Sequence, residues 1–287
     1  MSVVSESIAQ RVTLGLLVEQ YGFELDPPFA SNVTVTSLSD AMDTVFPGSL
    51  FVCRKTADLA YAERAGAYAA LMPRSMKGQV HADIPVMYGD CDDRVLGELA
   101  SGLAGNPSNT MALFAVTGVD DDTIEADVSQ LAEFLHMLGN PVAVISAAGS
   151  TSMTHTMALN YPLGILDVER TLSVCAEDGV AAVIVALNGR TLAKHALASV
   201  NVDVLGAQHA QLMEDVDALK ERYSFVADQK LTMTTTTFES DEIAAESPAM
   251  NDRGRLGHLS LAVAMVLAAG VRKNNIRSAL RVAGNLK

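Results

Sequence analysis

Apolar positions along this chain switch back and forth between helical spacing and short, nearly continuous β-branched runs. Residues 8–21 set Ile8, Val12, Leu16 and Leu17 on one stripe with Glu6, Arg11 and Glu19 around it, which predicts a helix stopped by Asp26-Pro27-Pro28. Residues 32–38 are β-branched and alternating, and Pro47-Gly48 turns the chain into a short apolar strand at 49–53. An alanine-rich helix follows over 57–67, then strands over 68–72 and 80–88. Residues 89–104 read as a helix with Asp90, Asp92 and Asp93 at its start, where the helix dipole favours carboxylates. Gly105-Asn106-Pro107-Ser108 ends it and predicts a boundary between domains at 1–108 and 109–287.

The second half repeats the alternation. A strand at 112–116 precedes a helix at 124–138, a strand at 142–146, and a polar segment at 147–160 carrying His155. A helix at 166–178 turns Leu166, Thr171, Leu172, Val174 and Cys175 inward. Residues 180–187 are almost wholly apolar, the pattern of a central parallel strand covered on both faces, and 200–205 give another strand. A threonine run after Leu231 predicts an edge strand, and the acidic stretch up to Asn251 a mobile connector. Two helices broken at Gly270 close the pattern over 253–280. The fold class that follows is α/β, two domains, each with a mostly parallel sheet.

The 287 residues are enough for two domains that each bury a core. Acidic residues outnumber basic ones, 34 to 20, and no basic run exceeds Arg54-Lys55 or Arg272-Lys273. That balance argues against nucleic acid or an anionic membrane as partner. Residues 259–271, the most apolar stretch, fall short of the ~18 residues a membrane span needs. With no signal peptide at the N-terminus, the expectation is a cytoplasmic protein. Cys53, Cys91 and Cys175 are far apart and form no C-x-x-C, so neither a disulfide framework nor a zinc site is indicated. Thirteen methionines without a tryptophan suit core filling, or else adaptable packing surfaces.

Candidate chemistry concentrates at residues 116–123. Strand, Thr117-Gly118 turn and helix start are the geometry that gathers backbone N–H groups around a phosphate, which makes Thr117, Gly118, Asp122 and Thr123 candidate nucleotide-site positions. A working phosphate loop carries Gly-Lys-Thr or Gly-Lys-Ser where this chain has Asp121-Asp122-Thr123. No G-x-S-x-G marks a serine nucleophile. His155, and His209 near Glu214 and Asp215, could be general bases or plain polar surface. The aspartates at 90, 92 and 93 could cap a helix or hold a divalent metal, and the repulsion of cations by a helix N-terminus favours the cap.

Together these phrases resemble the Mur ligases, ATP-dependent enzymes that add amino acids to the UDP-MurNAc peptide precursor of peptidoglycan. The branch adding the third residue is the one most resembled. Residues 85–118, running from an aspartate-led helix through a Gly-Asn-Pro-Ser turn and a hydrophobic strand into Thr-Gly, look like that family's join between N-terminal and central domains. VFPGSLFVC resembles the family's Val-x-Pro-Gly-Asp-Leu-Phe-Val-Ala, with Ala62, Gly66 and Ala67 ending the next helix. AEDGVAAVIVALNGRTLAKH looks like the strand bearing Glu-Val-Ser-Ser-His, and LGHLSLAVAMVLAAGV like the helix near adenine. The resemblance implies a UDP-precursor-binding-like domain at 1–108 and a shortened ATPase-like, P-loop-like domain at 109–287. It also implies that the chain ends where the C-terminal, amino-acid-binding domain would begin.

Set against the family's Gly-Thr-Asn-Gly-Lys-Thr-Thr, residues 118–124 keep Gly118 and Thr123, and Asp122 stands where the phosphate-binding lysine would be. The magnesium-binding glutamate falls on Ala186, Ser-Ser-His on Asn188, Gly189 and Arg190, the asparagine beside adenine on His258, and the uridine-site Asp-Ser-Arg on Ala41, Met42 and Asp43. Lys220 falls near the carbamylated lysine, with shortened spacing from His209, or is a solvated lysine on a charged helix. The resemblance therefore implies ATP and magnesium as family cofactors whose ligands this chain has lost, and no catalytic residue or metal site. The expected role is that of a pseudoenzyme, a scaffold or regulator binding a UDP-sugar precursor or an active cell-wall ligase. Two alternatives stand beside it: an active ligase or other nucleotide- or metal-dependent enzyme with an altered site at Asp120–Asp122, and a structural oligomerisation module.

Overall fold

In the computed structural model, which describes residues 12–213, 215–227, 231–247 and 253–285, the chain divides into two units, Met1–Asn106 and Pro107–Lys287. The division falls two residues before the boundary expected at 108/109.

The first unit runs β1 (Val12–Thr13), α1 (Leu14–Tyr21), β2 (Glu24–Asp26), β3 (Thr34–Val35), β4 (Ser37–Ser39), β5 (Ser49–Val52), α2 (Thr56–Ala65), β6 (Ala69–Met72), β7 (Val86–Tyr88) and α3 (Asp93–Leu103). Among the described residues its main sheet is five-stranded, ordered β2-β7-β6-β5-β4, and parallel except for β2. Successive residues of β5 to β7 are buried on opposite faces. Leu50, Leu71 and Met87 pack with Leu14, Leu17, Val95 and Leu99, whereas Phe51, Met72 and Tyr88 pack with Leu59 and Ala62. Helices thus cover both faces, as a mostly parallel sheet requires.

Three sequence expectations need correction here. The first helix starts only at Leu14, because Thr13 caps it through Leu16 N and Val12–Thr13 pair with Thr34–Val35; residues 8–11 lie outside the described residues. It ends at Gly22, whose φ of 67° closes the helix before Asp26-Pro27, and it buries Leu14 and Leu17 while Leu16 is 42% exposed. The strand expected at 32–38 is two strands serving different partners, with Thr36 N donating to Gly48 O between them (3.0 Å). Of 80–88, only Val86–Tyr88 is strand. Asp92 is the N-cap of α3, its Oδ1 accepting from Val95 N at 2.8 Å.

The second unit runs β8 (Ala112–Val116), α4 (Asp121–Met137), β9 (Val142–Ile145), β10 (Ser150–Ser152), β11 (His155–Met157), α5 (Ile165–Glu177), β12 (Ala182–Ala186), β13 (Val204–Ala207), α6 (Val216–Tyr223), β14 (Thr232–Thr235), α7 (Phe238–Ala245), α8 (Arg253–Ala268) and α9 (Lys273–Asn285). Among the described residues its sheet is seven-stranded, ordered β11-β10-β9-β12-β8-β13-β14, with β9, β12, β8, β13 and β14 parallel. The strand read as central, β12, is buried at every position and lies between β8 and β9. Residues 147–160, expected only to be polar, contain the antiparallel hairpin β10–β11. Val174 is 42% exposed rather than inward, while Leu166, Thr171, Leu172 and Cys175 are buried. The strand expected at 200–205 is shifted to Val204–Ala207.

The threonine run does form the edge strand β14. The mobile connector does not follow it. Thr237 Oγ1 accepts from Ser240 N, the Ser240 hydroxyl reaches back to Thr237 N, and α7 then buries Ile243 and Ala244 completely; residues 248–251 lie outside the described residues. Gly270, at φ +89°, separates α8 from α9 as the sequence predicts.

Candidate functional site

Val116, the last residue of β8, pairs with Ala186 of β12 on one side and Gly206 of β13 on the other. From β8 the chain moves through α4 to β9 on the β12 side, and from β12 it crosses to β13 on the other. The C-terminal end of β8 is therefore a topological switch point, where open α/β sheets carry their ligand crevices.

Thr117 is buried and donates its N–H to Gly206 O at 3.0 Å. A Cβ on Gly118 would stand 2.9 Å from Ile124 Cγ1, so this close approach of loop to helix requires glycine. Asp120 is the N-cap of α4, and its Oδ1 accepts from Thr123 N at 2.7 Å. The backbone N–H of Thr123, followed by its side chain, holds the Asp120 carboxyl below its ordinary pKa. Helix α4 starts at Asp121, three residues earlier than expected, because Asp120 caps it there. The Asp120 carboxylate is thus hydrogen-bonded at the N-terminus of α4, where the helix dipole favours a negative charge.

Asp121 and Glu125, one helical turn apart, face Arg190 from the loop after β12, at 3.9 and 3.3 Å. Asp122 is exposed. Beside Arg190, a Cβ on Gly189 would stand 2.7 Å from Arg222 Nη2, so a second guanidinium packs against this loop. Asn188 Oδ1 accepts from Thr191 N, while its buried Nδ2 has no partner among the described residues. Among the described residues no group of three or more His, Cys, Asp and Glu side chains is placed to hold a metal.

Thr117, Gly118, Asp122 and Thr123 are thus brought together at one turn, and His258 belongs to a neighbouring cluster. Its Nδ1 lies 2.6 Å from Oδ1 of Asp127 on α4, and Gln208 Nε2, just after β13, lies 2.7 Å from the same oxygen. Asp127 is 1% exposed and its Oδ2 is buried with no partner among the described residues. Burial raises its carboxyl pKa, opposed by the hydrogen bonds of Gln208 and His258 and by the charges of His258 and His209. His258 Nδ1 thus lies between the Asp127 carboxylate and the Gln208 amide, 2.8 Å from Gln208 Nε2. Among the described residues no serine, threonine or cysteine is hydrogen-bonded to this imidazole, so it forms no nucleophile–base pair there.

Asp127 and Gln208 were not singled out in the sequence. A signal existed for Asp127, because the spacing Ile124, Asp127, Val128, Leu131 puts a carboxylate on the buried face of α4. Gln208 had none. Of the other candidates, His209 is exposed near Asp127, His155 is exposed on the edge strand β11, and Lys220 is half-buried on α6. Cys53 and Cys175 are buried, and burial raises both thiols, that of Cys175 to about 11.

No protein-family model matches the chain, and no curated protein matches it. Solved structures do. A UDP-N-acetylmuramoyl-L-alanyl-D-glutamate–2,6-diaminopimelate ligase superposes with a TM-score of 0.52 at 16% identity, covering 74% of this chain and 44% of that one. MurF from Acinetobacter baumannii gives 0.57 at 13%, covering 95% of this chain and 67% of that one. The UDP-N-acetylmuramoylalanyl-D-glutamyl-2,6-diaminopimelate–D-alanyl-D-alanyl ligase of the same organism gives 0.55 at 11%, with 96% and 69% covered. The chain spans less than half of the first ligase and about two thirds of the others. No helix among the described residues is long and apolar enough to cross a membrane. At these identities the likeness is one of fold, and the fold is Mur-ligase-like: two α/β units with mostly parallel sheets.

Proposed function

We propose that this protein is a Mur-ligase-like pseudoenzyme that binds or regulates within peptidoglycan precursor synthesis and does not perform ATP-dependent ligation. The observation that carries this reading is the Asp120 carboxylate seated on Thr123 N at the start of α4. A Mg-triphosphate does not fit these residues. Its phosphates would compete with Asp120 for the helix N-terminus and meet Asp121 and Asp122 beside it, at about 4 kcal/mol of repulsion for each pair of unit charges 4 Å apart at an effective dielectric of 20. Arg190 is engaged by Asp121 and Glu125, so it neutralises the acidic helix start rather than offering a free cation.

What then remains of the scaffold is recognition. The similar ligases are named for UDP-N-acetylmuramoyl peptides, and a ligand of that class, or an active ligase that handles it, is the partner we assign. Binding of UDP-MurNAc peptides, measured by calorimetry alongside a phosphate-release assay with ATP, magnesium and each candidate amino acid, tests the reading. Binding without release supports it. Release coupled to amide formation would overturn it.

A further inference from the structure

At the opposite end of the second unit's sheet lies a cavity of about 370 Å³. It opens at Ala112, the first residue of β8, whereas the acidic loop follows Val116. At a rise of about 3.3 Å per residue, the two are about 13 Å apart along the strand. The volume falls within the range of small-molecule sites. Phe114 and Val204, each 2% exposed, supply an apolar wall, and Asn109 and Thr110 contribute polar groups.

Asp203 is the charged residue among the described residues lining the cavity. Its Oδ2 is held by Leu113 N at 2.8 Å, and its backbone is fixed on both sides, by Leu113 O and Thr232 N, while Oδ1 accepts from no group among the described residues. The last turn of α8 also faces the cavity through Ala268 and Ala269. The carbonyls of Met265, Val266 and Leu267 are closed by Ala269, Val271 and Gly270 N–H groups. Those of Ala268 and Ala269, at the negative end of the helix dipole, accept from no backbone N–H among the described residues.

We propose that this cavity binds a small organic ammonium ion, a short aliphatic primary amine whose charged head meets Asp203 and the α8 C-terminus while its alkyl body lies against Phe114 and Val204. A carboxylate fixed by a backbone N–H, a converging helix C-terminus and an apolar wall select a cation with a hydrophobic stem over an anion or a fully hydrated metal ion. The assignment is independent of any nucleotide or precursor site.

The test is calorimetric titration of the full chain with 1,5-diaminopentane and with its neutral counterpart, pentane-1,5-diol, with backbone amide shifts locating the guest. The diamine should bind at one site, shift the amides of Ala112 and Val204, and bind at least about tenfold tighter than the diol, in keeping with a charge-assisted hydrogen bond. Asp203→Asn retains an oxygen for Leu113 N and removes the charge, so it should weaken the diamine about tenfold and leave the diol unchanged. Ala269→Phe, at an exposed helix end, should block both guests and serves if Asp203→Asn does not fold. Equal binding of diamine and diol, undiminished diamine binding by either variant, or shifts spread over the acidic surface would overturn the proposal.

Discussion

Gln208→Met would test the buried carboxylate cluster, because it keeps the length of the side chain and removes the amide that donates to Asp127 Oδ1 at 2.7 Å. Asp127 is 1% exposed, and its other oxygen has no partner among the described residues, so the contacts of Gln208 and His258 with Oδ1 are its main compensation for burial. A hydrogen bond to an ionised group contributes about 1.5–3 kcal/mol and one to a neutral group about 0.5–1.5. The variant should therefore lose about 2 kcal/mol where the carboxylate is charged and about 1 kcal/mol where it is protonated. Burial raises the folded-state pKa of Asp127 above its unfolded value of about 3.9. The folded state then binds a proton the unfolded state has released, and Asp127's contribution to stability declines as pH rises from about 4 through the folded pKa, then levels off. Removing Gln208's donor pushes that pKa further up and deepens the decline. Urea unfolding at pH 4 and pH 7, with m-values checked for constancy, measures the difference. An equal loss at both pH values, or a loss below about 0.5 kcal/mol at pH 7, would refute a charge-assisted bond to a buried carboxylate.

Asp92→Ala removes the cap on Val95 N and should cost about 1 kcal/mol in urea unfolding without changing the m-value. Gly118→Ala drives a methyl to 2.9 Å from Ile124 Cγ1 and should destabilise by about 1–3 kcal/mol, and combined with Ile124→Ala the total loss should be smaller than the sum of the two single variants. Asp120 has a depressed carboxyl pKa, so its stabilisation is present above about pH 3.9 and is lost as pH falls through the folded value; Asp120→Ala should narrow the gap in melting temperature between pH 6 and pH 3. Arg190→Ala breaks two half-exposed ion pairs and should change stability by less than about 1 kcal/mol, an effect that shrinks in high salt.

The elements most legible in the sequence were those whose environment is uniform along their length. Residues 180–187 read as a central strand because both faces are buried, and residues 112–116 followed by Thr117-Gly118 read as strand and turn because apolar run and breaker abut. Local competition defeated the pattern elsewhere. Val12 could extend a helical stripe or pair with Val35, and the Thr13 cap together with tertiary pairing decided for the strand. In the acidic segment after β14, composition suggested mobility, but the Thr237–Ser240 capping pair and two buried apolar residues suffice for a helix packed on α8. The acidic loop was visible as a departure from a phosphate loop. That Asp120 takes the cap and that Arg190 bridges Asp121 and Glu125 from far along the chain depends on which strand ends are neighbours. Neither spacing nor composition carries that information.

The pseudoenzyme reading meets its most direct test in calorimetric titration of the protein with Mg-ATP at low salt, where electrostatic terms are least screened. The account predicts no saturable heat at millimolar nucleotide, and appearance of binding only when Asp120, Asp121 and Asp122 are together replaced by Asn, Gly and Lys. Saturable micromolar binding of Mg-ATP to the unaltered chain would contradict it.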